Sequence, residues 1–121
     1  MTSPPLADRR CVPCKGGVPP MPPEEVDRHL RLIKGWEAPG DRQLCKAYRF
    51  PDFKQALEFV DRVGAMAEEQ NHHPDLYLAW GVVRVEVWTH KIDGLTESDF
   101  VFAAKCDRIF DADLAALEHE R

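Results

Sequence analysis

Residues 82–90, VVRVEVWTH, alternate between apolar and polar positions more strictly than any other stretch of the chain. Successive side chains of an extended strand point to opposite faces. Val83, Val85, Val87 and Thr89 therefore share one face, and Arg84, Glu86, Trp88 and His90 share the other. A strand that is apolar on one side only belongs in an antiparallel sheet with one face covered, since all-parallel sheets are buried on both. The cover must come from elsewhere in the chain. Phe53, Ala56, Leu57, Val60, Val63 and Ala67 recur at helical spacing, which predicts an amphipathic helix over residues 52–71 able to lie on the valine face. Asp52 and Gln55 form a capping-box pair at its start.

The remaining elements follow from turn and cap signals. Pro22-Pro23 before Glu24-Glu25 opens a first helix that carries Val26, Leu30 and Ile33 and closes at Gly35. Trp36 to Ala38 reads as a short extended piece, Pro39-Gly40-Asp41 as a turn, and Gln43 to Phe50 as a strand. Leu76 to Trp80 is a strand turning at Gly81, and Thr96 with Asp99 opens a last helix from about Glu97 to His119. The predicted class is α+β with the order α-β-β-α-β-β-α. It is a four-stranded antiparallel sheet with helices packed on one face.

Residues 1–21 hold Pro4, Pro5, Pro13, Pro19 and Pro20 with Gly16-Gly17. They read as a flexible, extended N-terminal arm before a compact domain of residues 22–121. The chain is 121 residues long, a single domain's worth, with 16 basic against 21 acidic residues and a formal net charge of −5. No cluster of Lys and Arg stands out to neutralise phosphates, so nucleic acid is not the expected partner. No apolar run reaches the length of a membrane span, and the first twenty residues lack the apolar core of a secretory signal, so a cytoplasmic protein is expected. Of the four cysteines, Cys11 and Cys14 alone have C-x-x-C spacing, as in a redox pair or half of a zinc site. Pro13 and Gly16-Gly17 argue against a redox helix. No second C-x-x-C completes a zinc site, and reduced thiols in a solvated arm are the simplest reading.

The candidate chemistry lies in EEQNHHPDLYLAW, residues 68–80. Pro74 cannot continue the preceding helix and biases His73 away from helical backbone, so His72 and His73 fall at the helix exit. Three readings are open: two solvated histidines at a polar helix end, metal ligands joined by Glu68 and His90, or an acid–base site. Adjacent histidines leaving a helix seldom converge on one ion, and H-x-x-x-H spacing is absent. Imidazoles titrate near neutrality, so one can donate a proton while another accepts. The hairpin brings His90 back toward His72 and His73, with Asp99 nearby at the start of the last helix.

Glu68-x3-His72-His73-Pro74, followed by Trp80, His90 and Asp99 at these gaps, resembles the signature of the pterin-4a-carbinolamine dehydratases. Gly35-Trp36, Phe50, Phe53, Ala56, Phe59, Asn71, Thr89-His90, Gly94-Leu95-Thr96 and Ala103 are similar to that family too, so the resemblance spans about residues 22–115. It implies a four-stranded antiparallel sheet with helices on one face. It also implies loss of water from 4a-hydroxytetrahydropterin to give the quinonoid dihydropterin, which recycles the pterin after aromatic amino-acid hydroxylation. No metal and no organic cofactor is implied. By the same resemblance His72 and His90 are the general acid/base pair, His73 mainly holds the pterin, and Asp99 orients His90. Glu68 polarises the site or binds the pterin's amino edge, with Asn71 and Pro74 beside the substrate.

The chain departs from many relatives at Leu76, where an aromatic residue is frequent, at Asn71, where some carry Asp, and at Ser98, where some carry Arg. The expected partners are a small pterin, further copies of the chain in a homodimer or homotetramer, and an aromatic amino-acid hydroxylase. Nucleic acid and membrane are not among them. The alternative is a pterin-binding or protein-interaction module with little dehydratase activity, resembling a dimerisation cofactor or serving molybdenum-cofactor metabolism.

Overall fold

The computed structural model describes residues 5–12 and 16–119, with side chains as far as residue 112. Three helices and three strands follow in the order α1 (Pro23–Leu30), β1 (Leu44–Arg49), α2 (Phe53–Gln70), β2 (Asp75–Ala79), β3 (Val82–Val87) and α3 (Glu97–His119). The sheet is antiparallel in the order β1-β3-β2. Val83, Val85 and Val87 are fully buried, as their alternation requires, and β3 is the central strand.

The expected fourth strand does not form. Residues 36–38 make a single bridge, Glu37 to Cys45, with backbone bonds of 2.8 and 2.9 Å. Gly35 on one side and Gly40 on the other both have left-handed backbone, and Pro39 has no N–H for a ladder. The extended piece is too short to propagate beyond that bridge, and the sheet is three-stranded.

Two other expectations shift. α1 ends at Leu30 rather than running to Gly35, and its exit is tightened by Leu32 N–H to His29 O and Ile33 N–H to Leu30 O. The buried stripe of α2 is Ala56, Phe59, Val63 and Ala67. Phe53 and Leu57, expected on that stripe, are exposed on a neighbouring one. The Asp52 cap forms as expected, with Gln55 N–H donating to Asp52 Oδ1 at 2.8 Å. Phe59, Tyr48, Phe50 and Phe110 pack ring to ring at 4.7–6.0 Å and fill the space between sheet and helices.

Lys46 breaks the apolar rule on the covered face of β1. Its ammonium lies 2.7 Å from Asp107 Oδ1 and donates to Lys34 O at 2.7 Å. Tyr48 Oη and Trp36 Nε1 donate to the same carboxylate. The inward charge is compensated by a network that links β1, the Trp36 segment and α3.

Residues 5–12 were expected in a solvated arm but lie along α3. Leu6 and Cys11 are buried in the core. Lys105 Nζ donates to Ala7 O at 2.9 Å, Arg108 pairs with Asp8 at 2.7 Å, and Arg9 pairs with Glu97 at 2.5 Å. Cys14, half of the C-x-x-C spacing, lies outside the described residues. Cys11 is a free, buried thiol whose pKa burial pushes up to about 11, far from a reactive thiolate at neutral pH.

Candidate functional site

The histidines are placed by a helix end. α2 stops at Asn71, three residues before Pro74, because Asn71 adopts left-handed backbone (φ 52°, ψ 41°). Its N–H reaches Glu68 O at 3.3 Å, and the His72 N–H reaches Ala67 O at 3.2 Å. This pair of bonds is a Schellman motif, with His72 as the residue just past the left-handed one. The motif fixes the His72 backbone against the last turn of α2. Asn tolerates left-handed backbone better than most residues, and that was the signal available in the sequence. Pro74 then leads into β2.

Pairing of Asp75 with Glu86 sets the start of β2 beside the end of β3. The segments carrying His72, His73 and His90 thus come to one end of the sheet, as the hairpin predicted. β3 ends at Val87, earlier than expected. Thr89 bridges to Gly94, and His90 opens a 3-10 turn, His90–Ile92. His90 is exposed and packs at a tilt against Trp88, with ring centroids 4.4 Å apart.

Asp99 is the buried centre. It has no exposed surface and accepts from His72 Nε2 at 2.7 Å, Thr89 Oγ1 at 2.8 Å and the Thr96 N–H at 2.9 Å. The Thr96 bond is the returning half of a capping box at the start of α3. Asp99 was expected to orient His90. It bonds His72 instead, and it reaches the His90 segment through Thr89, the preceding residue. The geometric reason is the end of β3, where inward-facing Thr89 points at α3 and the next side chain, His90, points outward. Thr89 is a site residue that the sequence reading missed. Its signal was a hydroxyl on an otherwise all-valine face.

A carboxylate only accepts, so the Asp99 bond assigns the proton to His72 Nε2. That leaves Nδ1 as the remaining basic atom of a neutral ring. A buried Asp holding a histidine in one tautomer is an arrangement that serves proton transfer in unrelated enzymes. The His72 ring also lies against Phe102, at 5.9 Å.

The second pair is more open. Glu68 Oε2 lies 2.6 Å from His73 Nε2, with side chains 78% and 54% exposed. A pair this accessible adds little stability, so it is available to a ligand. Asn71 is exposed and Pro74 is half-buried beside the histidines. Among the described residues no group of three or more His, Cys, Asp or Glu side chains is arranged to hold a metal ion. A cavity of about 170 Å³ lined by Gly35, Glu37, Cys45, Lys46, Ala47 and Arg84 shares no residue with this cluster.

Residues 19–109 match the model of the family described as pterin 4 alpha carbinolamine dehydratase. A protein of Rubrobacter xylanophilus, provisionally named pterin-4-alpha-carbinolamine dehydratase, is 59% identical over 104 residues, covering 86% of this chain and 97% of that one. A Rickettsia bellii protein of the same provisional name is 52% identical over 103 residues, covering 84% and 91%. Among solved structures, a transcriptional coactivator/pterin dehydratase from Brucella melitensis superposes with a TM-score of 0.71 at 31% identity, covering 74% of this chain and 97% of that one. A pterin dehydratase-like protein described as a RuBisCO assembly factor of the alpha-carboxysome superposes with a TM-score of 0.55 at 25% identity, covering 62% and 88%. With the family model spanning most of its length and relatives this similar along nearly their whole chains, this chain belongs to the pterin-4-alpha-carbinolamine dehydratase family.

Proposed function

We propose that this protein is a hydro-lyase that dehydrates 4a-hydroxytetrahydropterin to the quinonoid dihydropterin by histidine acid–base catalysis. The observation that carries the reading is the 2.7 Å bond between fully buried Asp99 and His72. Water is lost across N5 and C4a of the pterin. The C4a–O bond breaks, its oxygen takes a proton, and N5 gives one up as the N5–C4a double bond forms. Hydroxide is a poor leaving group, so the oxygen must be protonated as it departs, and a base must receive the N5 proton. His72, held as the Nε2–H tautomer by Asp99, offers Nδ1 as the base. His90, exposed against Trp88, serves as the acid. His73, steadied by Glu68, holds the pterin, and Asn71 and Pro74 border it. The reaction is redox-neutral and asks for no metal or organic cofactor.

This activity would place the protein in tetrahydropterin recycling beside an aromatic amino-acid hydroxylase, in the cytoplasm. No helix among the described residues is long and apolar enough to cross a membrane. The outer edge of β2 is unpaired within the described chain, and Tyr77 and Trp80 are exposed near it, which supports a homodimer or homotetramer.

The test is to supply 4a-hydroxytetrahydropterin and follow dehydration spectroscopically. Turnover above the buffer rate, lost in His72→Ala and His90→Ala, is expected. A rate equal to buffer, or variants indistinguishable from the parent, would sink the assignment. The second reading is an interaction module with little dehydratase activity, supported by the coactivator and assembly-factor descriptions of two structural neighbours. A purified protein that binds pterin without turning it over would favour that reading.

A further inference from the structure

Three separate pieces of chain carry the candidate chemistry: the end of α2 with His72, the turn with His90, and the start of α3 with Asp99. The N-terminal segment touches all three. The Cys11 N–H donates to Gln70 Oε1 at 2.9 Å, at the last residue of α2. The Val12 N–H donates to Ser98 Oγ at 2.7 Å, and Ser98 Oγ returns a bond to Val12 O at 3.1 Å, one residue before Asp99. The Cys11 thiol reaches Ser98 O at 3.5 Å. Further on, the Met21 N–H donates to Leu95 O at 2.9 Å. A Cβ added to Gly94 would lie 2.5 Å from Pro20 Cβ, so the segment closes directly onto the turn carrying His90.

We propose that the N-terminal segment is a positioning strap for the acid–base site, with Gln70 and Ser98 as the side chains through which its Cys11-Val12 backbone holds His72 and Asp99 in register. This rests on the dehydratase reading and goes beyond it, since residues 5–12 lie outside the span that the family model matches. Burial of Leu6 and Cys11, with Lys105 and Arg108 bonded to Ala7 and Asp8, anchors the strap along α3. Without the strap, the hydrogen bond joining the end of α2 to the start of α3 at this site, among the described residues, would be His72–Asp99, with its packing. A bond that short tolerates little drift, and a misplacement of about 1 Å can cost about a hundredfold in rate. None of the strap's groups touches the reacting atoms, so its effect falls on kcat through geometry rather than on pterin affinity.

The decisive comparison is Gln70→Leu with Gln70→Glu in the full chain, with Ser98→Ala as a third variant. Leu removes the acceptor for the Cys11 N–H at similar size, whereas Glu retains one. Gln70→Leu and Ser98→Ala are expected to lower kcat about tenfold with little change in KM, and Gln70→Glu to restore most of it. Imidazole ¹⁵N shifts of ligand-free protein should show His72 losing its pure Nε2–H tautomer in Gln70→Leu and keeping it in Gln70→Glu. Variants that only melt earlier, with parental kcat and an unchanged His72 tautomer, would overturn the strap. Gln70 is only half-buried, so its pair decides the matter even if Ser98→Ala does not fold. If the parent has no dehydratase activity, the functional reading fails while the His72 tautomer still tests the strap.

Discussion

Asp99→Asn is the sharpest perturbation the site allows, because it changes one atom and its consequence can be worked out bond by bond. Asp99 Oδ2 receives the Thr96 backbone N–H, which can only donate, along with the Thr89 hydroxyl. In the variant the amide oxygen must occupy that position, or two donors would face each other. The amide NH₂ then falls opposite His72 Nε2, where Oδ1 now sits at 2.7 Å. Two donors cannot share a hydrogen bond, so His72 must give up its Nε2 proton and carry it on Nδ1. The ring's basic atom then faces the introduced amide, and its N–H faces the substrate. A buried Asp→Asn change that imposes the wrong histidine tautomer costs on the order of 10⁴ in kcat in a serine protease. Here His90 remains intact, so a loss on the order of 10³ is the expectation. Every bond to the residue can re-form, so stability should change by no more than about 1–2 kcal/mol. Steady-state dehydration kinetics, with imidazole ¹⁵N shifts read on the same sample, check both halves. A variant whose kcat stays within about tenfold of the parent, with His72 still protonated on Nε2, would refute the claim that this bond sets the proton's place.

Other consequences concern the frame around the site. Asn71→Val should destabilise by about 1–2 kcal/mol, since left-handed backbone is strained for a branched residue, whereas Asn71→Gly should keep stability; urea melts that rank Val with Gly would contradict the Schellman role. Asp107→Ala should cost about 3 kcal/mol by leaving the Lys46 ammonium largely buried and unpaired, and a thermal melt close to the parent's would show that the network is dispensable. Burial raises the Cys11 thiol from 9.0 to about 11 and raises Cys106 too. The unfolded chain loses these protons first, so the native chain binds more protons from about pH 9 to about 11. Stability from this source is therefore intact below about pH 9 and falls as pH rises through the window. A urea midpoint that stays flat there would count against the buried thiols.

Elements written in local periodicity were legible in the sequence, and contacts between distant segments were not. The valine face of β3 and the α2 helix with its Asp52–Gln55 cap follow from spacings of two to four residues, and the β2–β3 hairpin sets the segments carrying His72, His73 and His90 at one sheet end. The fourth strand failed because extended propensity over residues 36–38 does not say how many partner bonds follow, and flanking glycines allowed one bridge only. Phe53 and Leu57 misled because helical spacing gives a stripe's direction but not which of two adjacent stripes meets the sheet.

The partner of Asp99 was missed for a related reason. His90 is nearer to Asp99 in sequence than His72 is, but it lies just past the end of β3, exposed against Trp88, while Thr89 points in. Alternation, carried one residue further, excludes His90 from the buried carboxylate and leaves His72 as the ring able to reach it. The strap sits at the other extreme. Residues 5–12 hold one 3-10 turn, Leu6–Asp8, and are otherwise irregular, and the inference from irregular to solvated was the error. Irregular backbone can be buried wherever its N–H and C=O groups find partners. Ser98, Gln70 and Lys105 supply them here. A segment with no more than one 3-10 turn, Leu6–Asp8, whose polar groups are met by side chains of α2 and α3 is tertiary structure, and its cost if removed would be borne first at the ends of those helices, where His72 and Asp99 stand.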